Sequence, residues 1–571
     1  MRRILGALAL VLVTTCGGDD PDTSCARFLQ WGGDPGHSGA MCVAGQPMER
    51  TLERIEMDPF AEEEVLDGFG ALLIHYQAPL IVGDDVYLMF KSGSYTPCDR
   101  ETLACEPYYR NTQVWNEKGY RWESGRLVEK WTFASDWKPE PTIRFEPMFH
   151  PAIAGDFIYV PGLGGSVFKV DRATGLPVSR IAPFGEPLDP DLYVAGAVSA
   201  DTAGNVYYTA LKLDHDDPYG RDASGWLVHV RPDDSFATVS TTDLATGAPA
   251  ATDMCRSQFA ASVPRPLPPE DDAGGAVLAP EVPCGAQRPA MNLAPALAPD
   301  GTIYLVTRAH FVDRTAFLVA VRPDLTTRWA RSLSRILDDG CGVTVPTDGS
   351  AERPGACRPG ARAGVDPLTN EPPSARASDS SSSAPVVLPD GSVLYGAFTS
   401  YNGSRGHLLK LDAAGVVVAT HDFGWDVTPA VYRHDGTYSI IIKNNSYGRD
   451  AEGVPLGPFY IEQLSKDLTS EWRFQLTNTQ SCTRLPNGDI ECVEDHPNGF
   501  EWCINAPLVD REGTVYATGE DGNAYAIGQG GIERHRVFLE MAIGAAYTPL
   551  ALDGEGRIYT LNDGKLKVLG R

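Results

Sequence analysis

The sequence predicts an all-β protein, an eight-bladed β-propeller made of four-stranded antiparallel blades. Three observations predict it. The chain turns often, with 58 glycines and 44 prolines among 571 residues, a combined share well above the roughly 12% of ordinary globular chains. A short pattern recurs eight times: Pro or a small residue, two apolar residues, a Gly/Asp turn, then an apolar residue and Tyr. Its tightest spacings are about 42–45 residues, the length of one propeller blade.

The copies run Pro79 to Tyr87, Pro151 to Tyr159, Gly196 to Tyr207, Pro295 to Tyr304, Pro385 to Tyr395, Pro429 to Tyr438, Pro507 to Tyr516 and Pro549 to Tyr559. Each reads as strand, tight turn, strand, because Asp-Gly between apolar runs is a hairpin signal. A second hairpin follows, as in Leu408 to Asp412 and Gly415 to Val418. One blade cannot bury both faces, so blades stack around an axis and cover one another. After Pro549 the chain supplies only three strands. Thr51 to Met57 is expected to provide the fourth, closing the ring with both termini.

The formal charge of −27 and pI of about 4.8 leave no basic field for a phosphate backbone, which excludes nucleic acid as a partner. Arg2 and Arg3 precede an apolar run from Ile4 to Val13, too short to span a bilayer and the length of a signal-peptide core. Cys16 and the Gly17-Gly18-Asp19-Asp20 tether after it resemble the lipobox of bacterial lipoproteins. That resemblance implies a signal peptide over 1–15, acyl chains on Cys16 holding the protein to a membrane, and a tether over 16–27. A single propeller then fills 28–571. Gly17 after the Cys implies an outer-membrane lipoprotein facing periplasm or cell surface. The chain is expected to be a monomer.

Twelve cysteines suit an oxidising compartment. The expected disulfides are Cys25–Cys42, Cys98–Cys105, Cys255–Cys284, Cys341–Cys357 and Cys482–Cys492. For the last pair, Leu485-Pro486-Asn487-Gly488-Asp489 reads as a three-residue hairpin loop. It sets Cys482 opposite Cys492 at a non-hydrogen-bonded position, where Cα atoms are close enough to bridge. Cys503 is left over. Inserts are expected at about 93–120, 244–290 and 335–383, as decoration or as a partner surface.

Phe28-Leu29-Gln30-Trp31-Gly32-Gly33-Asp34-Pro35-Gly36-His37-Ser38-Gly39 resembles the opening segment of pyrroloquinoline-quinone-type propeller repeats. Asp171-Arg172-Ala173-Thr174-Gly175 resembles their repeat end, with Ser179 where a docking Trp is usual. Trp131, Trp329 and Trp472 keep that Trp. The resemblance implies eight blades. In its dehydrogenase members a quinone lies in the funnel over a Trp floor, with Ca²⁺ held by Glu, Asn and Asp. This chain has neither their Cys-Cys pair nor a haem-attachment motif, and no catalytic residue carries over. No catalytic or metal-ligating residue is therefore assigned. No cofactor is expected, and pyrroloquinoline quinone with Ca²⁺ stands as the alternative.

Residues just before each motif Pro should crowd one end of the central channel: His75, Gln77, His150, Asn292, Asp379, Trp425, Asp426, Glu501, Trp502, Asn505 and Tyr547. From these a candidate ligand site is drawn at His150, Trp425, Asp426, Glu501, Trp502, Asn505 and Tyr547. Trp425-Asp426 and Glu501-Trp502 pair an aromatic face with a carboxylate, which suits polyols or cations. The sequence thus points to an anchored binding or scaffolding propeller, comparable to the lipoprotein propeller of the outer-membrane barrel-assembly machinery. A quinone- or metal-dependent oxidoreductase and a carbohydrate-binding propeller are the alternatives.

Overall fold

The computed structural model describes residues 26–571 except 69, 71, 100–104, 106–108, 141–145, 349–355, 400–405, 425, 447, 449–453 and 545–548. Its strands form an eight-bladed propeller. Blades 1 to 7 cover residues 80–134, 152–181, 192–240, 287–332, 386–423, 430–475 and 508–538. Blade 8 takes residues 551–570 and, as its outer strand, Arg50–Glu56, which pairs antiparallel with Lys565–Gly570 from Arg50 opposite Gly570 to Glu56 opposite Lys565.

The repeated pattern forms the two inner strands of each blade. In blades 1, 2, 4 and 7 the residue after the motif Pro stands opposite the motif Tyr, as Leu80 does opposite Tyr87 and Leu508 opposite Tyr516. In blade 3 the pairing of Ser199 with Tyr207 puts Val198, not Gly196, in the proline's place. The longer turn around Asp201 displaces the alignment by two residues. The motif aspartates hold these turns: Asp510 Oδ1 accepts the amides of Glu512 and Thr514, and Asp553 Oδ1 those of Glu555 and Arg557.

Neighbouring blades lock through the outer-strand Trp. Trp131 of blade 1 donates Nε1–H to the Arg172 carbonyl of blade 2 at 3.0 Å, and Trp329 of blade 4 donates to Ala413 of blade 5 at 3.1 Å. Each indole lies on a turn glycine. A Cβ on Gly175 would fall 2.5 Å from Trp131, and one on Gly415 2.6 Å from Trp329. Where blade 2 lacks the Trp, Ser179 Oγ donates to Asp234 of blade 3 at 2.8 Å, a polar substitute at the same joint.

Because strands alternate in direction, the turns joining strands 1–2 and 3–4 emerge on one face of the ring. The strand 2–3 loops and the blade-to-blade connections emerge on the other. Every long connection therefore lies on that second face, the insert face. Here two expected boundaries shift and one insert is new. The first insert ends at 112, because Gln113–Glu123 is the third strand of blade 1 and Trp115 in it is fully buried. The second ends before Gln287–Pro289, which pairs with the second strand of blade 4. A further insert, which was not expected, surrounds the hairpin of Gln480–Arg484 and Ile490–Glu494.

Disulfides join Cys98–Cys105, Cys255–Cys284, Cys341–Cys357 and Cys482–Cys492. Cys482 stands opposite Cys492 with Cα atoms 4.0 Å apart, and Leu485 N donates to Asp489 O. Cys42 is disulfide-bonded, while Cys25 and Cys16 lie outside the described residues. Cys503 is a buried thiol. Among the described residues no helix is long and apolar enough to cross a membrane.

Candidate functional site

The inner strand of each blade is an edge, so its inward N–H groups need partners. The segment from Phe28 to Gln46 supplies them. Its carbonyls accept from Ile81 of blade 1, Ile153 of blade 2, Leu297 of blade 4, Val387 of blade 5, Val431 of blade 6 and Val509 of blade 7 at 2.7–2.9 Å. Gln30 Oε1 accepts from Ala200 of blade 3, and Gln46 N donates to Gly556 of blade 8. One strip of chain thus visits every blade from inside and plugs the channel from the turn face. The segment first read as the opening of a repeat is an axial plug.

Trp31 is the deepest part of the plug and is fully buried. In blades 1 to 7 the residue before the motif Pro position is Ala78, His150, Ala197, Ala294, Ala384, Thr428 and Ala506. Ala197, Ala294, Ala384 and Ala506 form one apolar cluster with Trp31, and their small side chains leave room for the indole. Trp31 Nε1 donates to Thr428 Oγ1 at 3.0 Å, and the ring meets His150 edge-on at 5.7 Å. Sequence reasoning missed this arrangement, although the recurring Ala before Pro was its signal.

The candidate residues separate. His150 is buried against Trp31 of the plug. Its Nδ1 bonds the Pro151 carbonyl at 2.8 Å, and burial lowers its pKa to about 4. Asn505 is buried on the channel wall, and both polar atoms of its amide lack a protein partner. Asp426 is buried and accepts from Ser382 N at 2.8 Å. Asn292 is a strut, accepting from Met148 N and donating to Asp379 O. Asp379 holds Arg288 at 2.6 and 2.8 Å and Arg308 at 3.0 Å. Burial pushes its carboxyl up, but the two guanidinium groups hold it well below the carboxylate range.

The Glu501–Trp502 pairing does not form a ligand face. Trp502 is buried against Tyr525 and Phe474 at 5.1 and 5.9 Å, and its Nε1 donates to Phe459 O. Glu501 is half-buried beside it. Position before the Pro sets which end of the blade a residue occupies, not which way its side chain turns. Trp425 and Tyr547 lie outside the described residues.

The two long inserts dock on each other on the insert face. Phe259 N bonds Leu368 O, Ala279 N bonds Thr369 O, and Arg358 N bonds Leu267 O. Phe259, Leu267 and Ala279 make a small core with Leu368. Arg256 ties them further through Glu281 and Glu371 at 2.8 and 3.4 Å. Beneath them lies a cavity of about 140 Å³ lined by Arg256, Arg314, Asp366 and Glu371. On the opposite face a cavity of about 590 Å³ lies between the plug and the turns of blades 3 to 5. Its carboxylates are engaged locally, Asp34 by Gly36 and Ser38 and Asp201 by Ala203 and Asn205.

The residues described do not fit a Ca²⁺–quinone site. Asp379 is held by two arginines, Asn292 is a strut, Asp426 is bonded to Ser382, and Trp31 with its plug fills the axis. Among the described residues no group of three His, Cys, Asp or Glu side chains is placed to hold a metal ion.

No family model matches the chain, and no curated protein matches it. Among solved structures, it is similar to a europium-containing methanol dehydrogenase, with 11% identity and a TM-score of 0.49 over 94% of this chain and 89% of that one. It is similar to a quinohemoprotein alcohol dehydrogenase from Comamonas testosteroni, with 10% identity and a TM-score of 0.49 over 96% and 82%. It is also similar to BamB from Moraxella catarrhalis, with 12% identity and a TM-score of 0.37 over 91% and 97%. The eight blades are established by the chain's own strand pairing.

Proposed function

We propose that this protein is a lipid-anchored, extracytoplasmic binding or scaffolding propeller that receives a protein partner on its insert face. One observation carries the reading: the chain seals its turn face with its own plug and places every long connection on the other. Four inserts there are each closed by a disulfide, and two are fused into one cap, so the surface is built to hold its shape. Leu278, Val343, Leu456 and Val493 stand exposed on it. Anchoring through Cys16 rests on the leader pattern, and the mass of the mature protein's N-terminal peptide tests it.

The oxidoreductase alternative is separated by titrating the folded Cys16→Ser chain with pyrroloquinoline quinone, with and without Ca²⁺, while following Trp fluorescence. The expected result is no saturable quenching. Ca²⁺-dependent quenching that saturates at one equivalent would replace the scaffold reading with an enzyme.

A further inference from the structure

Ala26, the first residue described, lies at the turn face. A Cβ on Gly554 would stand 3.7 Å from the Ala26 Cβ. Gly554 belongs to the turn between the two inner strands of blade 8, Ala551–Leu552 and Ile558–Asn562. Two residues after Ala26, Phe28 exchanges both backbone hydrogen bonds with Ile81 of blade 1, at 3.0 and 2.7 Å. Ile81 stands just before the corresponding turn of that blade, at Gly83 and Asp84. The chain therefore enters the channel from the turn face, at the joint of blades 8 and 1. Cys42 lies at the same face. Met41 N bonds Val509 O and Arg511 N bonds Val43 O, beside the inner turn of blade 7. Cys42 is disulfide-bonded, and its expected partner, Cys25, would hold the residue before Ala26 there too.

Chain length turns this entry point into an orientation. Nine residues separate Cys16 from Ala26. Each chain step spans at most ~3.6 Å, so the two Cα atoms lie no more than about 36 Å apart whatever path joins them. To bring the insert face to a membrane that holds Cys16, the segment would have to cross blade 8 from its inner to its outer strand. Three strand spacings make that about 14 Å. It would then have to run the length of the outer strand, Arg50–Glu56, whose seven residues span about 24 Å. This path already exceeds the full reach of the segment, and the inserts project beyond the strand end. The turn face needs none of it.

We propose that the turn face is the membrane-proximal face of the anchored protein and that the insert face points away from the lipid. The partner on the insert face is then a water-exposed protein domain and not a bilayer-embedded one. This inference rests on the reading of Cys16 as the lipid anchor and of the insert face as the docking surface.

The test uses the full chain, produced with its own leader and reconstituted with phosphatidylcholine vesicles. The mass of the N-terminal peptide and flotation with the vesicles report the anchor. A donor dye is attached through an azide-bearing amino acid at Val416 or Ile532 on the turn face, or at Leu278 or Val493 on the insert face, all four exposed. The lipid carries the acceptor dye. Energy transfer should be about twofold or more greater from the turn face, since the two faces stand at least one strand length, about 24 Å, apart. Inserting about twenty Gly/Ser residues after Asp20 lifts the length limit and should bring the two faces toward equal transfer. In a chain that is acylated and floats, equal transfer with the native tether, or greater transfer from the insert face, would overturn the orientation and leave the anchor standing. A chain that is neither acylated nor floating would overturn the anchor, and the orientation with it.

Discussion

Trp31 is one side chain in contact with most of the ring. Its indole fills the space left by alanines from four blades and bonds Thr428 of a fifth. Trp31→Ala leaves a buried void and should cost about 4 kcal/mol, read as a lowered denaturant midpoint. Blade 1 holds a second residue of consequence. Burial raises the pKa of Glu117 to about 8, with only the Gln77 amide opposing it. A carboxyl whose folded pKa lies above its unfolded value of 4.5 stabilises the fold fully below pH 4.5 and loses that contribution as pH rises to 8. Glu64, raised to about 7 by burial against the pull of Lys91, acts in the same direction. His37 and His150 act oppositely. Burial depresses both to about 4, so their contribution is full above pH 6.5 and is lost as pH falls through 4. Thermal melts should therefore peak in mildly acidic buffer and fall on both sides. Glu117→Gln should flatten the alkaline side; an unchanged alkaline slope would show that Glu117 is ionised in the fold.

Between neighbouring blades, the joint is a Trp on a glycine turn. Gly415 has a φ of +78°, and its Cα faces the Trp329 ring. Gly415→Ala therefore strains the backbone and displaces the indole, and should cost about 2 kcal/mol or more. Gly391→Ala is its control, with a similar φ of +79° but open space around it. The hairpin 480–494 makes a different test. Its Arg484 N and Cys482 O bond the linker to blade 8, while the outer strand is wholly exposed. Replacing Cys482 and Cys492 by Ala should speed amide exchange there and leave the global melting temperature within about 2 °C, since the blades do not depend on it. Much at this scale was legible. The Asp-Gly turns, the Cys482–Cys492 register and the docking Trp of three blades follow from local chemistry. What escaped was the plug. Phe28 to Gly39 has no alternation of its own, and its bonds go to strands 53 to 470 residues away in the chain.

At the scale of the whole molecule, the ring has two unlike faces. The sequence announced the inserts by composition and spacing, but only the strand alternation puts them on one side. The candidate channel site was less legible. His150 and Asn505 are both buried, yet Trp502 turned into the packing between blades and Asp379 into an arginine clamp, because residue type and position do not give side-chain direction. On the proposed reading, the net charge of −27 disfavours anionic polymers as partners, and specificity is expected from the shaped insert face. The most direct test places a photo-cross-linking amino acid at exposed positions on each face in the producing cell. Leu278, Val343, Leu456 and Val493 report the insert face; Leu176, Phe236, Val416 and Ile532 report the turn face. The account predicts a discrete cross-linked partner from the first group and none from the second. Adducts confined to the turn face, or equal on both, would contradict it.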